Sequence, residues 1–225
     1  MKKGFITKMI LSMMMVFTLL GGTMSYASAK RGYKSLNPLG NVGHKYHVNG
    51  WTFWFTGNDD NGHYTLKGRK KKNKFSMKLV GQAYTNGKTM YVSYATSTID
   101  SATGPVCDGF SVIHLSPFKT VFKTTVKDDS VNLQTYYLTK KYAMVLGARN
   151  SNGWDSYLYK YDIHKKTLKK VATTREDFFL YKKHIYGNKL VGSNTHYYRY
   201  NIDGSHKKRI SENTFYQAQE HDQFS

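Results

Sequence analysis

A single cysteine, Cys107, is all the chain offers for covalent cross-linking, so no intramolecular disulfide can form and stability has to come from packing. A catalytic thiol would need a partner base, and Pro105-Val106-Cys107-Asp108-Gly109 matches no thiol-protease context, so Cys107 reads as a structural bystander. Acidic residues are also scarce, with 14 Asp and Glu against 34 Lys and Arg. Most fall in turn-like stretches such as Asp59-Asp60 and Asp128-Asp129, which gives paired-carboxylate catalysis little to work with. No G-x-S-x-G, H-E-x-x-H or Walker pattern occurs, so serine hydrolysis, zinc proteolysis and nucleotide hydrolysis lack sequence support. Asn58-Asp59-Asp60-Asn61 has the composition of a calcium loop without its spacing, because Gly57 stands where the first ligand belongs. No metal and no cofactor is expected, and the chain reads as a non-enzyme. Only three Pro and no long pattern of period 3.6 after the N-terminal segment leave little room for helix beyond a turn near Arg175 to Asp177.

The N-terminal segment carries the one long apolar stretch. Lys2, Lys3 and Lys8 form a basic leader before the run Met9 to Leu20, which Gly21-Gly22-Thr23 ends well short of the roughly 20 residues a spanning helix needs. Ala27-Ser28-Ala29 matches a signal-peptidase site, so residues 1–29 read as a secretory signal peptide and the mature chain as starting at Lys30. The expected location is secreted or extracellular, association with the cell wall included, and without a transmembrane segment. Removing the leader lowers the formal charge from +20 to +17. Such a surface attracts polyanions: wall polymers, acidic polysaccharides, anionic headgroups, and nucleic acid only non-specifically.

What the sequence has in abundance is repetition and aromatic residues. Tyr157-Leu158-Tyr159-Lys160-Tyr161-Asp162-Ile163 aligns without gaps on His196-Tyr197-Tyr198-Arg199-Tyr200-Asn201-Ile202 at a shift of 39 positions. Lys169-Lys170-Val171 falls on Lys208-Arg209-Ile210 at the same shift. Upstream, Tyr136-Tyr137-Leu138-Thr139-Lys140-Lys141 resembles Phe178-Phe179-Leu180-Tyr181-Lys182-Lys183 at a shift of 42. A period near 40 residues marks solenoids and propellers. Aromatic and β-branched residues alternate with polar ones, and Gly, Asn, Asp and Lys cluster between the runs, so each unit reads as antiparallel β-structure. In Tyr157 to Ile163, the odd positions share one face and Leu158, Lys160 and Asp162 the other.

The expected architecture is all-β: a propeller-like array of about four antiparallel blades. The divisions are a signal peptide at 1–29, an N-terminal linker at 30–45 and repeats over 46–225. The units lie at about 46–82, 83–130, 131–174 and 175–213, with a stub at 214–225. Thr214-Phe215-Tyr216 in the stub resembles the start of another blade. The last unit, Tyr198-Arg199-Tyr200-Asn201-Ile202-Asp203-Gly204-Ser205 followed by Lys207-Lys208-Arg209-Ile210, resembles the strand-turn-strand signature of YWTD-type β-propellers. Those are the propellers of low-density-lipoprotein-receptor-related proteins, with uncharacterised bacterial secreted relatives. Tyr159 to Val171 resembles it less, since His164-Lys165-Lys166 replaces Asp-Gly-Ser, and no residues spell YWTD. The resemblance implies a non-enzymatic extracytoplasmic binding scaffold. Four units are fewer than the six such rings usually close with, which points to an incomplete or open ring whose free sheet edges would favour self-association.

The repeats also align charge. Arg69, Lys70, Lys71, Lys72 and Lys74, then Lys165, Lys166, Lys169 and Lys170, then Lys207, Lys208 and Arg209 read as basic turns in comparable places before the last strand of three units. Two readings stand: a basic rim that binds an anionic polymer, or Lys-loaded edge strands that resist edge-to-edge pairing. Trp154 is a candidate aromatic platform for a sugar. The functional reading is an interaction module that binds protein or an anionic envelope polymer. The alternative is a carbohydrate-active propeller enzyme of glycosidase or lyase type.

Overall fold

A computed structural model describes residues 32–38, 42–57, 64–96, 100–101, 104–105, 107–126, 131–149, 156–174 and 178–221. The proposed signal peptide, Asn58 to Asn61, Asp128-Asp129, Trp154 and Arg175 to Asp177 lie outside the described residues. After a short strand β1 (Lys34–Leu36), a first sheet runs β2 (Tyr46–Val48), β3 (Trp51–Thr56), β4 (Thr65–Lys70) and β5 (Asn73–Met77). The second contains β6 (Val80–Thr85), β7 (Thr89–Tyr94), β10 (Gly109–Leu115) and β11 (Phe118–Thr125), with β8 (Asp100–Ser101) and β9 (Gly104–Pro105) paired between β7 and β10. The third is β12 (Val131–Leu138), β13 (Tyr142–Arg149), β14 (Ser156–Asp162) and β15 (Thr167–Thr174). The fourth is β16 (Phe178–Tyr181), β17 (His184–Val191), β18 (Asn194–Asn201) and β19 (Lys208–Ile210), followed by helix α1 (Glu212–Gln219).

The four large sheets are antiparallel meanders, the second with β1 added beside β6, and they form a propeller-like array of blades. The 39-residue repeat superposes β14 on β18 and β15 on β19, the third and fourth strands of consecutive blades. Side-chain periodicity records each blade's place in the array. In β3 of the first blade, Trp51, Phe53 and Phe55 are buried while Thr52, Trp54 and Thr56 remain half-exposed, the alternation of a sheet covered on one side. In β13 of the third, Ala143, Met144, Val145 and Leu146 are all buried, because blades cover both of its faces.

The core is accordingly a chain of interfaces. Trp51, Phe53, Leu66 and Phe75 of the first blade pack on Val80, Met90 and Leu115 of the second. Tyr91, Phe110 and Val112 of the second meet Leu133, Val145 and Tyr161 of the third, with Tyr161 and Phe122 ring centroids 4.8 Å apart. Met144, Leu158 and Ala172 of the third join Leu180, Ile185 and Tyr200 of the fourth. Among the described residues no cluster joins the fourth blade back to the first, so the array is open.

Two segments depart from the sequence expectation. The stretch read as a linker contributes β1, which pairs antiparallel with β6 (Leu36 opposite Ala83) and buries Leu36 completely. The stub does not begin another blade, since Thr214, Phe215 and Tyr216 lie in α1. Ser211 caps that helix, its hydroxyl accepting from the Thr214 N–H at 3.2 Å, and Glu212 occupies the first turn, where the helix dipole favours an anion. Phe215 and Ala218, one turn apart, bury against the outer face of the fourth blade. There Phe179 stacks on Tyr186 at 5.0 Å, and Phe215 stands edge-on to Phe179 at 5.0 Å.

Phe215 is 1 % exposed and is the largest apolar side chain that α1 places on the blade. Phe215→Ala is expected to destabilise the chain by about 3 kcal/mol, read as a lowered urea midpoint at unchanged slope.

Candidate functional site

Successive hairpins of an antiparallel meander alternate between the two ends of the sheet, so the first and third turns of every blade emerge at the same end. Contacts show that the first two blades share this end, and the 39-residue repeat carries equivalent turns into the third and fourth. The Lys70 ammonium donates to the Asn49 carbonyl at 2.8 Å, tying the first blade's two turns together. The Asn49 side-chain amide donates to the Asn86 carbonyl, joining the first turns of the first and second blades. Phe75 and Phe118, which flank the third turns of the same two blades, have centroids 5.7 Å apart. The Leu115 N–H donates to Lys88 O at 2.9 Å and the Ile163 N–H to Lys141 O at 3.0 Å, repeating the link between turns in the second and third blades.

Short polar side chains shape these turns. Asn86 Oδ1 accepts from the N–H groups of Lys88 and Thr89, both at 2.9 Å, and Thr139 Oγ1 accepts from those of Lys141 and Tyr142. Asp162 Oδ1 accepts from the His164 and Lys165 N–H groups, and Asp203 Oδ1 from the Ser205 N–H and hydroxyl. The backbone N–H of Lys165 holds the Asp162 carboxyl below its ordinary range, and the Ser205 hydroxyl does the same for Asp203. Both carboxylates at this end therefore serve turn geometry. Gly204 takes φ +83° in the Asp-Gly-Ser turn, and a Cβ there would lie 2.3 Å from the Val171 carbonyl oxygen of the neighbouring blade. That contact gives the signature glycine a physical reason.

The twelve candidate basic residues separate into two groups. Lys70, Lys71, Lys72, Lys165, Lys166 and Lys207 end a strand or occupy third turns, at the common end. Lys74, Lys169, Lys170, Lys208 and Arg209 lie within β5, β15 and β19, the outer edge strands, and Arg69 lies in β4. Register then sets like charges opposite one another near the same hairpin of three blades: Arg69 faces Lys74, Lys160 faces Lys169, and Arg199 faces Lys208. Some of the cations rest on rings. The Lys207 Nζ sits 4.0 Å from the Tyr198 centroid, and the Lys170 Nζ 4.3 Å from that of Tyr157.

First-turn lysines escape the sequence reading. Lys88, Lys140, Lys141, Lys182 and Lys183 share this end with the rim and are exposed, as is Lys119 at the start of β11. The signal was present, because the 42-residue repeat ends on Lys140-Lys141 and Lys182-Lys183. Its meaning depends on knowing that first and third turns coincide. Lys182 lies 4.9 Å over the Tyr181 ring, and its ammonium is held above the usual lysine range by hydrogen bonding to that phenol.

Cys107 is 5 % exposed, and burial pushes its thiol up to about 12, partly offset by a hydrogen bond with the Gly81 backbone. A thiol held protonated in this way is a poor nucleophile. Among the described residues no cluster of three or more His, Cys, Asp or Glu is placed to hold a metal ion, and no helix is long and apolar enough to cross a membrane. Trp154, the candidate platform, lies outside the described residues.

No protein-family model matches the chain, and no curated protein matches it. Solved structures do resemble it. One is described as the β-propeller domain of the Trilobed protease from Pyrococcus furiosus, with an open velcro topology, at 8 % identity and a TM-score of 0.41 over 75 % of this chain and 56 % of that one. Another is an oligogalacturonate lyase in complex with manganese, at 10 % identity and a TM-score of 0.37 over 74 % and 53 %. The chain thus covers about half the length of each. The four-blade description rests on the chain's own strand pairing and core interfaces.

Burial of weak acids makes stability pH-dependent. Desolvation raises the Cys107 thiol to about 12 and the Tyr161 phenol to about 12, and it raises Tyr91 as well. Above the unfolded values, near 8.5 for Cys and 10 for Tyr, the unfolded chain releases these protons while the folded chain keeps them. Stability from these groups is therefore complete below about pH 8.5 and falls as pH rises toward 12. The urea midpoint is expected to drop steadily between about pH 9 and 11, and Cys107→Ala to flatten the earliest part of the fall.

Proposed function

We propose that the chain is an exported, non-enzymatic interaction module whose basic end binds an anionic envelope polymer at the cell surface or wall. The observation that carries this reading is the like-charge pairing repeated at one end of the array. Arg69–Lys74, Lys160–Lys169 and Arg199–Lys208 oppose each other across strands in three blades. Each such pair disfavours its own strand register by about 0.2–1 kcal/mol. The 39-residue repeat carries Lys160–Lys169 onto Arg199–Lys208, and Arg69–Lys74 adds the same pairing in the first blade outside that match. A polymer whose charges lie along the third turns would turn that repulsion into attraction, releasing its counterions as it binds.

The resemblance of the last unit to YWTD-type repeats, which implies an extracytoplasmic binding scaffold, supports the same reading, as does the leader at 1–29. The edge-strand cations have a second role that is compatible with it. Lys74, Lys169, Lys170, Lys208 and Arg209 line β5, β15 and β19, the free outer edges, where charge discourages pairing with another chain. Self-association through open edges is accordingly expected to be weak while these charges are in place. Lys71 and Lys72 lie off the strand ladders, whereas Lys70 ends β4 opposite Asn73, so the polymer reading is tested through the first two.

Retention on a phosphate-polymer column in a salt gradient provides the test. Changing Lys71 and Lys72 together to Gln is expected to bring elution to lower salt and to reduce the salt slope by about 1.4 units. Elution at the same salt as the unaltered chain would remove the rim as the binding surface.

A further inference from the structure

The first turns of the first and fourth blades solve one geometric problem with different residues. Two-residue hairpins of this kind hold both central residues at positive φ, where Asn-Gly is favoured because neither residue is penalised severely. The first blade follows that rule, with Asn49 at φ 47° and Gly50 at φ 78°. The fourth places Lys182 at φ 46° and Lys183 at φ 64° in the corresponding turn. A left-handed backbone clashes with the Cβ of an ordinary L-residue, so two consecutive lysines there are held against local preference. Third turns repeat the choice, with Lys71 at φ 51° and Lys166 at φ 53°. Strained lysines therefore recur at one end of the array, and local stability does not account for them. Both members of the Lys182-Lys183 pair are exposed, and the Lys182 carbonyl faces the His184 ring nitrogen at 2.9 Å, which fixes the turn without burying either ammonium.

We propose that the first-turn pairs Lys140-Lys141 and Lys182-Lys183 extend the rim into a continuous cationic surface over the third and fourth blades, which binds a linear phosphodiester polymer of the polyol-phosphate type. The proposal rests on the anionic-polymer reading and deepens it by naming the ligand's chemistry and a second row of contacts. The third-turn lysines Lys165, Lys166 and Lys207 form the outer row and the first-turn pairs the inner one. In the third blade the two rows are tied by the Ile163 N–H bond to the Lys141 carbonyl. A flexible chain lying across both rows can meet lysines from two blades. The cations in these turns are lysines, while Arg69, Arg199 and Arg209 lie on strands. Lysine meets a phosphate as a compact point charge from any direction, whereas flat carboxylates favour the bidentate arginine fork. Single-stranded nucleic acid shares the phosphodiester chemistry but draws much of its affinity from base stacking. Of the rings that border the first turns of the third and fourth blades, Tyr142 and Tyr181 are half-buried and each already carries a lysine ammonium over it, Lys160 at 5.2 Å and Lys182 at 4.9 Å, so stacking has little to act on.

The test is a substitution that improves the fold. Lys182→Asn with Lys183→Gly installs the pair the first blade already uses and removes two charges. The double variant is expected to unfold about 2–6 °C higher than the unaltered chain. Its affinity for synthetic poly(glycerol phosphate) at about 50 mM salt is expected to fall on the order of tenfold or more, with the salt slope reduced by about 1.4 units. A charge-matched control, Lys78→Gln with Lys189→Gln, removes exposed lysines belonging to the opposite half of the strands and is expected to change affinity less than about twofold. A stabilised Asn-Gly variant that binds as tightly as the unaltered chain overturns the inner row while leaving the rim reading intact. An unaltered chain that shows no salt-dependent binding to poly(glycerol phosphate) or to polygalacturonate removes the rim reading itself. Equal losses in the variant and the control overturn a localised surface. Binding to polygalacturonate or oligo-dT as tight as to poly(glycerol phosphate) overturns the polyol-phosphate assignment.

Discussion

Every blade of this chain must hide at least one face from water, and no blade can do so alone. A four-stranded sheet carrying Trp51, Phe53 and Phe55, or a five-stranded one carrying Tyr91, Phe110 and Val112, exposes more apolar area than an isolated sheet tolerates. Consecutive sheets solve this by leaning together, so stability lies in the interfaces between neighbours. In an open array that principle leaves two end faces to be dealt with. The first blade turns outward a face of half-exposed Thr52, Trp54 and Thr56. The fourth keeps an aromatic outer face, with Phe179 and Tyr186, and covers it with α1. One end is thus terminated by composition and the other by a helix, and the two devices make a ring unnecessary.

Stacking also determines what the turns can be. Adjacent blades approach so closely at the common end that the Asn49 amide reaches the Asn86 carbonyl and Gly204 leaves no room for a Cβ against Val171. Turn residues are consequently fixed relative to one another across blades, unlike the independent loops of many surfaces. A cation placed at a turn in one unit is multiplied by the repeat into a row with set geometry, which is how a modest charge per unit becomes a surface.

Much of this was legible in the residues. Aromatic and β-branched runs between Gly, Asn, Asp and Lys clusters announced the strands, and the gap-free match of Tyr157–Ile163 with His196–Ile202 located a recurring strand and turn from letters alone. The helix was hidden because Thr214-Phe215-Tyr216 has strand propensity. Its state is decided by the Ser211 cap and by the aromatic face that Phe215 covers, both read only once the fourth blade is in place. Strand β1 escaped for a related reason: three residues carry no periodicity, and their pairing is imposed by the free edge of β6. The inner lysines were visible as letters, but their convergence with the rim is a property of hairpin topology.

The distribution of strain follows from these constraints. Interior positions are chosen for packing, and polar turn-formers such as Asn86, Thr139 and Asp203 satisfy backbone donors where a turn permits it. The choices that work against local stability are concentrated at the common end, as like-charge cross-strand pairs and left-handed lysines. Each is worth about 1 kcal/mol or less for the charge pairs and about 1–2 for a left-handed residue, against a total stability of about 5–15 kcal/mol for a folded domain. A chain whose blades and terminal helix support one another at every interface can carry that load. The same arithmetic explains why the load sits in turns and edges: an equal penalty inside Tyr91, Phe110 and Tyr161 would pull neighbouring blades apart. An anion laid along this end would relieve the charge repulsion, so under the proposed function the ligand stabilises the fold most where the free chain is least comfortable.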